Sequence, residues 1–235
     1  MKYSTFSHKG SRSVNEDKIH IESLKNYSEL FLIADGMGGY EDGENAASMI
    51  VESISTYLNT LKEIIPKDIQ KAINKANLAI RQYQQIAGYK SGATLAGSIV
   101  MIDKIICFWV GDVKIFHFRN NKLIKESKPH SLVNELIQIN SYVEPERIKN
   151  IKHVVTRSIQ GDLKKSEMDY FEVINPEKDD VLIICSDGVH DKLNGLQIER
   201  MLSNSDFIDK NVLAIEDVLH DVAKDNYSLI AITNF

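Results

Sequence analysis

LFLIADGMGGY, residues 30–40, runs five apolar side chains into a carboxylate at Asp35 and then sets three glycines, Gly36, Gly38 and Gly39, within four positions. A short apolar run bounded by a turn signal reads as a buried strand, and the Asp-Gly step ends it. The strand therefore delivers one charged group to the rim of a sheet. The glycines let the backbone turn sharply and let its carbonyls approach a ligand that a Cβ would keep away. Taken alone, the stretch fits an ordinary strand and turn as well as it fits a ligand site.

The same arrangement recurs outward from this stretch. Asp187 ends VLIICS (181–186) and is followed by Gly188, Asp112 follows CFWVG (107–111), and Asp225-Asn226 stands just before SLIAIT (228–233). If these strand ends share one edge, four carboxylates converge. Such a group repels itself and raises its own pKa values unless cations sit among it. The lysines and arginines are scattered along the chain, so hard divalent cations, Mg²⁺ or Mn²⁺, are the better counter-charge for an all-oxygen site. No CxxC is present, and the seven histidines are spread out and read as surface or loop residues, which leaves no zinc pattern. Four unrelated aspartates capping turns is the plainer alternative. The loop GSRSVNEDK (10–18) gathers Arg12, Asn15, Glu16 and Asp17, and by itself reads as a solvated charged turn.

The remaining pattern supplies the architecture. Strands are expected at 1–10, 19–22, 30–34, 94–101, 104–110, 113–119, 122–126, 153–159, 170–174, 181–186 and 229–233, with Asn120-Asn121 as a two-residue hairpin turn. Apolar residues at helical spacing predict helices from Asn45 to Leu61, from Pro66 onward, and at 132–138, 194–203 and 212–224. Residues 140–152 carry few apolar anchors and read as a flap. Helix pair, strands, helix pair in this order describes an α+β domain with a β-core layered between helices, one domain over residues 1–235.

Bulk properties exclude several function classes. The chain has 43% hydrophobic and 26% charged residues and a net charge of -5, without the basic excess of a nucleic-acid binder. Cys107 and Cys185 lie inside apolar runs, so they read as small buried hydrophobes rather than a disulfide pair. Neither a secretion signal nor a membrane span is legible, and a cytoplasmic protein is the expectation. The helix stripes are accounted for as core, which predicts a monomer.

RSVNED (12–17), DGMGG (35–39), SGATL (91–95), Gly111-Asp112, TRSIQG (156–161), CSDGVHD (185–191) and DNYS (225–228) occur in this order. The ordered set resembles the metal-dependent protein serine/threonine phosphatases of type 2C, in their short bacterial form, over residues 7 to 233. The resemblance implies a central β-sandwich of two mostly antiparallel sheets flanked by helix pairs, a four-layer αββα fold, with a flap segment at 132–154. It implies hydrolysis of phosphoserine and phosphothreonine in proteins by a hydroxide bridging two Mn²⁺ or Mg²⁺ ions, with a third, weaker metal. Asp35 would bridge the two ions, the carbonyl of Gly36 would bind one, Asp187 and Asp225 would complete one, and Glu16 would help hold the other. Asp17 would act through water, Asp112 with Asp187 would hold the third ion, and Arg12 would grip the substrate phosphate. Phosphoprotein substrates and a cognate serine/threonine kinase are the implied partners, without nucleic acid or membrane. Departures from the family pattern are Met37 in place of a histidine, Pro129 before His130-Ser131 in place of aspartate, Val113-Lys114 after Gly111-Asp112, and Ser228 in place of threonine. These altered positions motivate a second reading, a phosphatase-like regulatory or binding module with weak catalysis.

Overall fold

The computed structural model describes residues 1–37, 42–139, 144–163, 166–202 and 207–235. Gly38 and Gly39 of the opening stretch therefore lie outside the described residues, as do the first residues of the expected flap. Ten strands among the described residues form two five-stranded sheets. The first sheet has the order β1 (Lys2–His8), β10 (Tyr227–Thr233), β9 (Asp180–Cys185), β6 (Lys114–Arg119) and β7 (Lys122–Glu126). The second has the order β2 (Asp17–Ser23), β3 (Glu29–Gly36), β4 (Ala93–Val100), β5 (Lys104–Val110) and β8 (Asp169–Ile174). Every neighbouring pair in both sheets is antiparallel.

Strand periodicity explains the layers. In β3, Leu30, Leu32 and Ala34 pack under a pair of helices while Phe31 and Ile33 face the other sheet. β9 and β10 alternate in the same way, with Ile183, Leu229 and Ala231 toward the second helix pair and Leu182, Ile184, Ile230 and Ile232 between the sheets. Strands buried on both faces read as continuous apolar runs, which is why they stand out in the sequence. The first pair is α1 (Gly43–Leu58) and α2 (Pro66–Ala87), whose buried stripes include Ile50, Ile54, Ile69 and Ile73. Beyond β7 come α3 (Leu132–Ile139) and α4 (Pro145–Ile151), and α5 (Asp187–His190) follows β9. The second pair, α6 (Gly195–Leu202) and α7 (Ile208–His220), covers the first sheet through Ile198, Val212 and Ile215. The four-layer α+β architecture implied by the resemblance is present.

Asn120 and Asn121 have φ of 50° and 57°, the left-handed pair that a type I′ hairpin requires. Four expectations need correction. Residues 153–159 do not form a strand; Val155 and Ile159 make only isolated bridges, to Ser131 and Ala93. Val154 is 43% exposed and Ile159 alone in the segment is buried, so the segment lacks the alternating buried face of a strand. Part of the expected flap is helical, as α4. Asp187 opens a helical turn rather than ending a strand in a tight Asp-Gly turn. Finally, His117 lies buried within β6 and is neither a surface nor a loop residue, while His130 keeps its place in a loop but is buried there. No helix among the described residues is long and apolar enough to cross a membrane.

Candidate metal centre and active site

Register places the first carboxylates. Asp17, at the start of β2, pairs with Asp35 of β3, and Asp35 pairs in turn with Thr94 of β4. Beside them a cleft of about 200 Å³ is lined from seven directions. Arg12 and Glu16 reach it from the β1–β2 loop, Asp35, Gly36 and Met37 from the end of β3, and Thr94 from β4. Asp112 comes from the β5–β6 turn, His153 and Val155 from the segment after α4, Asp187 from the first position of α5, and Asp225 from the approach to β10. A larger hollow of about 570 Å³ beside Lys2, Asn121 and Ile208 gathers no comparable set of carboxylates.

Asp17 stands behind the cleft wall. Its Oδ2 accepts from Ser186 Oγ at 2.8 Å, while its buried Oδ1 has no hydrogen-bond partner among the described residues. The Ser186 hydroxyl also accepts from the Ser228 N–H at 2.9 Å, so Ser228 helps hold the group that orients Asp17. Glu16 is fixed through its backbone: its N–H donates to Asn226 Oδ1 at 2.9 Å and its carbonyl accepts from the Gly36 N–H at 3.1 Å. Asn226 also donates from Nδ2 to the carbonyls of Lys9 and Val14, both at 2.9 Å. One amide thus ties the loop bearing Arg12 and Glu16 to the lead-in of β10. A Cβ on Gly36 would stand 2.6 Å from the Gly43 carbonyl oxygen and 2.8 Å from Glu16 Cβ, so no other residue fits there without displacing Glu16.

The electrostatics are those of a carboxylate cluster short of cations. Burial raises Asp35 well above the usual carboxylate range, and repulsion from Asp17, Asp187, Asp112 and Asp225 adds to it. Burial, followed by repulsion from Asp112, Asp225 and Asp17, pushes Asp187 up to about 8. Asp17 is pushed up to about 6 by burial, against the opposing hydrogen bonds of Ser228 and Ser186. Burial likewise raises Asp112 and Glu16. The guanidinium of the cleft is Arg12, whose Nη2 donates to Asp225 Oδ2 at 2.8 Å with both side chains about half exposed.

The opposite rim provides a control within the same molecule. Burial pushes the fully enclosed Asp180 up, but two Arg119 bonds of 2.7 and 2.8 Å, together with the Glu177 N–H and His117, outweigh it and the carboxyl lies below its ordinary value. The paired carboxylate falls while the unpaired cluster rises, so the cluster fits a missing positive charge. Its donors are carboxylates and a nearby backbone carbonyl, a hard-oxygen set that suits Mg²⁺ or Mn²⁺. Among the described residues no three or more Asp, Glu, His or Cys side chains are by themselves grouped so as to hold a metal ion. The carboxylates line an open bowl, which suits a cation that keeps several of its waters.

Several contributors were not singled out from sequence. Asn226, Thr94 and Ser186 lie inside recognised motifs without an assigned task. His190 donates from Nε2 to the Asp112 carbonyl at 2.9 Å, and burial pushes its pKa down to about 4. Contacts spanning 210 residues, as between Glu16 and Asn226, leave no local signal beyond an Asx residue beside a carboxylate. Both cysteines are free and buried, and burial pushes both thiols up, the reverse of what a nucleophilic cysteine requires.

With fold and site described, comparison with known proteins gives the class. The protein phosphatase 2C family matches residues 6–222, and the chain belongs to that family. Serine/threonine phosphatase stp of Listeria welshimeri is 28% identical over 202 residues, spanning 82% of this chain and 79% of that protein. Among solved structures, the S. agalactiae serine/threonine phosphatase superposes with a TM-score of 0.85 at 26% identity, covering 98% of each chain. The catalytic domain of PstP in complex with 2 manganese ions has the same fold, with a TM-score of 0.80 at 20% identity over 98% of this chain and 96% of that one.

Proposed function

We propose that residues 1–235 form a single catalytic domain that hydrolyses phosphoserine and phosphothreonine in proteins with the help of divalent cations. The observation that carries this reading is the meeting, at one rim, of carboxylates from both sheets with one phosphate-sized fork, Arg12. Asp35, the Gly36 carbonyl, Asp187, Asp225 and Glu16 are the residues that would hold two cations. Asp112 with Asp187 would hold a third, and Asp17 acts through water from behind the wall. When bound, such cations supply Lewis-acid charge and make water nucleophilic at neutral pH. The hard-oxygen donors accept either Mn²⁺ or Mg²⁺, and the PstP catalytic domain in complex with 2 manganese ions supports manganese.

The chain's own residues do the rest. Arg12 presents two N–H groups in a plane, the geometry that binds two phosphate oxygens together. Its bond to Asp225 is half exposed, and ion pairs of that kind contribute little, so phosphate can displace it. Ser186 and Ser228 hold the Asp17 carboxylate in place. Because Cys185 is sealed inside β9, the reaction proceeds without a cysteinyl phosphoenzyme. The partners in this reading are phosphoproteins and the serine/threonine kinase that makes them, met by a monomer in the cytoplasm.

The test is hydrolysis of p-nitrophenyl phosphate and of a phosphothreonine peptide by purified protein with and without Mn²⁺. Turnover is expected with Mn²⁺, lost on adding EDTA and absent in Asp187→Ala and Asp35→Ala. Undetectable turnover by well-folded wild-type protein at saturating Mn²⁺ would overturn the proposal.

A further inference from the structure

Beyond the carboxylates themselves, one side chain joins two of their carriers. His190, the last residue of α5, brings Nε2 to 2.9 Å from the backbone carbonyl of Asp112. A ring nitrogen facing a carbonyl oxygen at that distance must carry the proton, so the ring is the Nε2–H tautomer. Asp187 opens the same helical turn three residues earlier, and side chains three apart leave a helix on one side. The ring therefore spans from the carrier of Asp187 to the carrier of Asp112.

The receiving turn is otherwise held at its other residue. Gly111 has φ of +105°, and a Cβ there would stand 2.4 Å from Thr94, so the turn is seated tightly on β4. The Gly111 N–H donates to His130 Nδ1 at 3.0 Å, and its carbonyl accepts from the His130 N–H at 2.8 Å. His130 thus fixes Gly111, and His190 ties the carbonyl of the residue that bears the carboxylate. An apolar side chain at position 190 would leave that carbonyl without this donor and the turn without its tie to α5.

We propose that His190 is a positioning residue of the metal centre: its bond to the Asp112 carbonyl sets the separation of the Asp112 and Asp187 carboxylates, and with it the affinity of the cation they share. The proposal rests on the function inferred above. Residues that orient metal ligands commonly change affinity by about 10–100-fold when removed. The side chain takes no part in the bond-breaking step, so its loss acts on cation affinity before it acts on the maximal rate.

Three proteins decide the matter: wild type, His190→Leu and His190→Gln, the glutamine offering an N–H₂ where the ring offers Nε2–H. Calorimetric titration of the metal-free proteins with Mn²⁺ should show the weaker class of sites in His190→Leu loosened about tenfold or more. The Mn²⁺ concentration for half-maximal peptide hydrolysis should rise in step, with kcat at saturating Mn²⁺ and KM for the peptide near wild type. His190→Gln should recover most of the affinity. ¹⁵N NMR of the metal-free wild type should show the Nε2–H tautomer, a readout that stands even if His190→Leu fails to fold. Wild-type affinity in His190→Leu, equal loss in both variants, or an Nδ1–H tautomer would overturn the role of His190. Wild-type protein that neither binds Mn²⁺ nor hydrolyses the peptide would instead defeat the functional reading beneath it.

Discussion

Arg12 and Asp225 face each other across the cleft mouth, and the physics of that pair separates stability from catalysis. The pair is bonded at 2.8 Å but half exposed, a setting in which ion pairs contribute about 0–1 kcal/mol. A lysine at position 12 can keep the charge and reach Asp225, yet it cannot offer two coplanar N–H donors to a phosphate. Arg12→Lys should therefore leave urea stability within about 0.5 kcal/mol of wild type. Its kcat/KM on a phosphothreonine peptide should fall about 100-fold, the scale seen when one preorganised donor to a developing anion is lost. Stopped-point kinetics alongside urea unfolding checks both halves, and unchanged kcat/KM would remove Arg12 from the phosphate site.

At the scale of elements, the four-residue α5 is the piece most tightly dependent on its neighbours. A Cβ on Gly188 would stand 2.0 Å from the Asn226 carbonyl oxygen, a backbone atom with nowhere to go. Gly188→Ala should cost about 1–3 kcal/mol in urea unfolding, as overpacking does. Because Asn226 also ties Lys9, Val14 and Glu16, the variant should bind Mn²⁺ more weakly as well, measured by calorimetry. The elements that sequence made legible are those with one strong local period: β3, β4, β9 and β10 as apolar runs, α1 and α2 as stripes, Asn120-Asn121 as a turn. α5 was not legible, because Asp-Gly after an apolar run looks the same whether a turn or a helical turn follows. Residues 153–159 alternate like a strand but never find a partner beyond single bridges. Glu16 and Asp17 read by themselves as part of a solvated turn, but Asp35, Asp112 and Asp187 were legible because each follows an apolar run, and Asp225 because it stands just before one. Asn226 and His190 were not, since their work is done across 210 and 78 residues of chain.

For the whole molecule, the cluster makes stability depend on pH and on cations together. Asp35 approaches the cleft from the second sheet, Asp187 from just past the end of β9 and Asp225 from just before the start of β10, which lie at one edge of the first, so cations bound among them cross-link the two halves of the sandwich. Without cations the folded state holds protons that the unfolded chain releases, because the folded pKa values lie above the ordinary carboxylate range, with Asp187 at about 8 and Asp35 well raised. More protons bound when folded means that stability falls as pH rises toward about 8. Between about pH 6.5 and 8.5 histidines ordinarily pass into their neutral form in the unfolded chain, and His190 is already neutral when folded, so the carboxylates dominate that interval. The metal-free protein should accordingly lose Tm across it, followed by near-UV circular dichroism in EDTA. Mn²⁺ at about 100 times its Kd adds roughly 2.7 kcal/mol, or about 5–10 °C at 2–4 °C per kcal/mol for a chain of this size. The gain should be larger at the alkaline end, because cation binding and proton release go together. A metal-free Tm that stays level or rises over the interval, or a Tm indifferent to Mn²⁺, would mean that the carboxylates do not carry the repulsion that makes this rim a cation site.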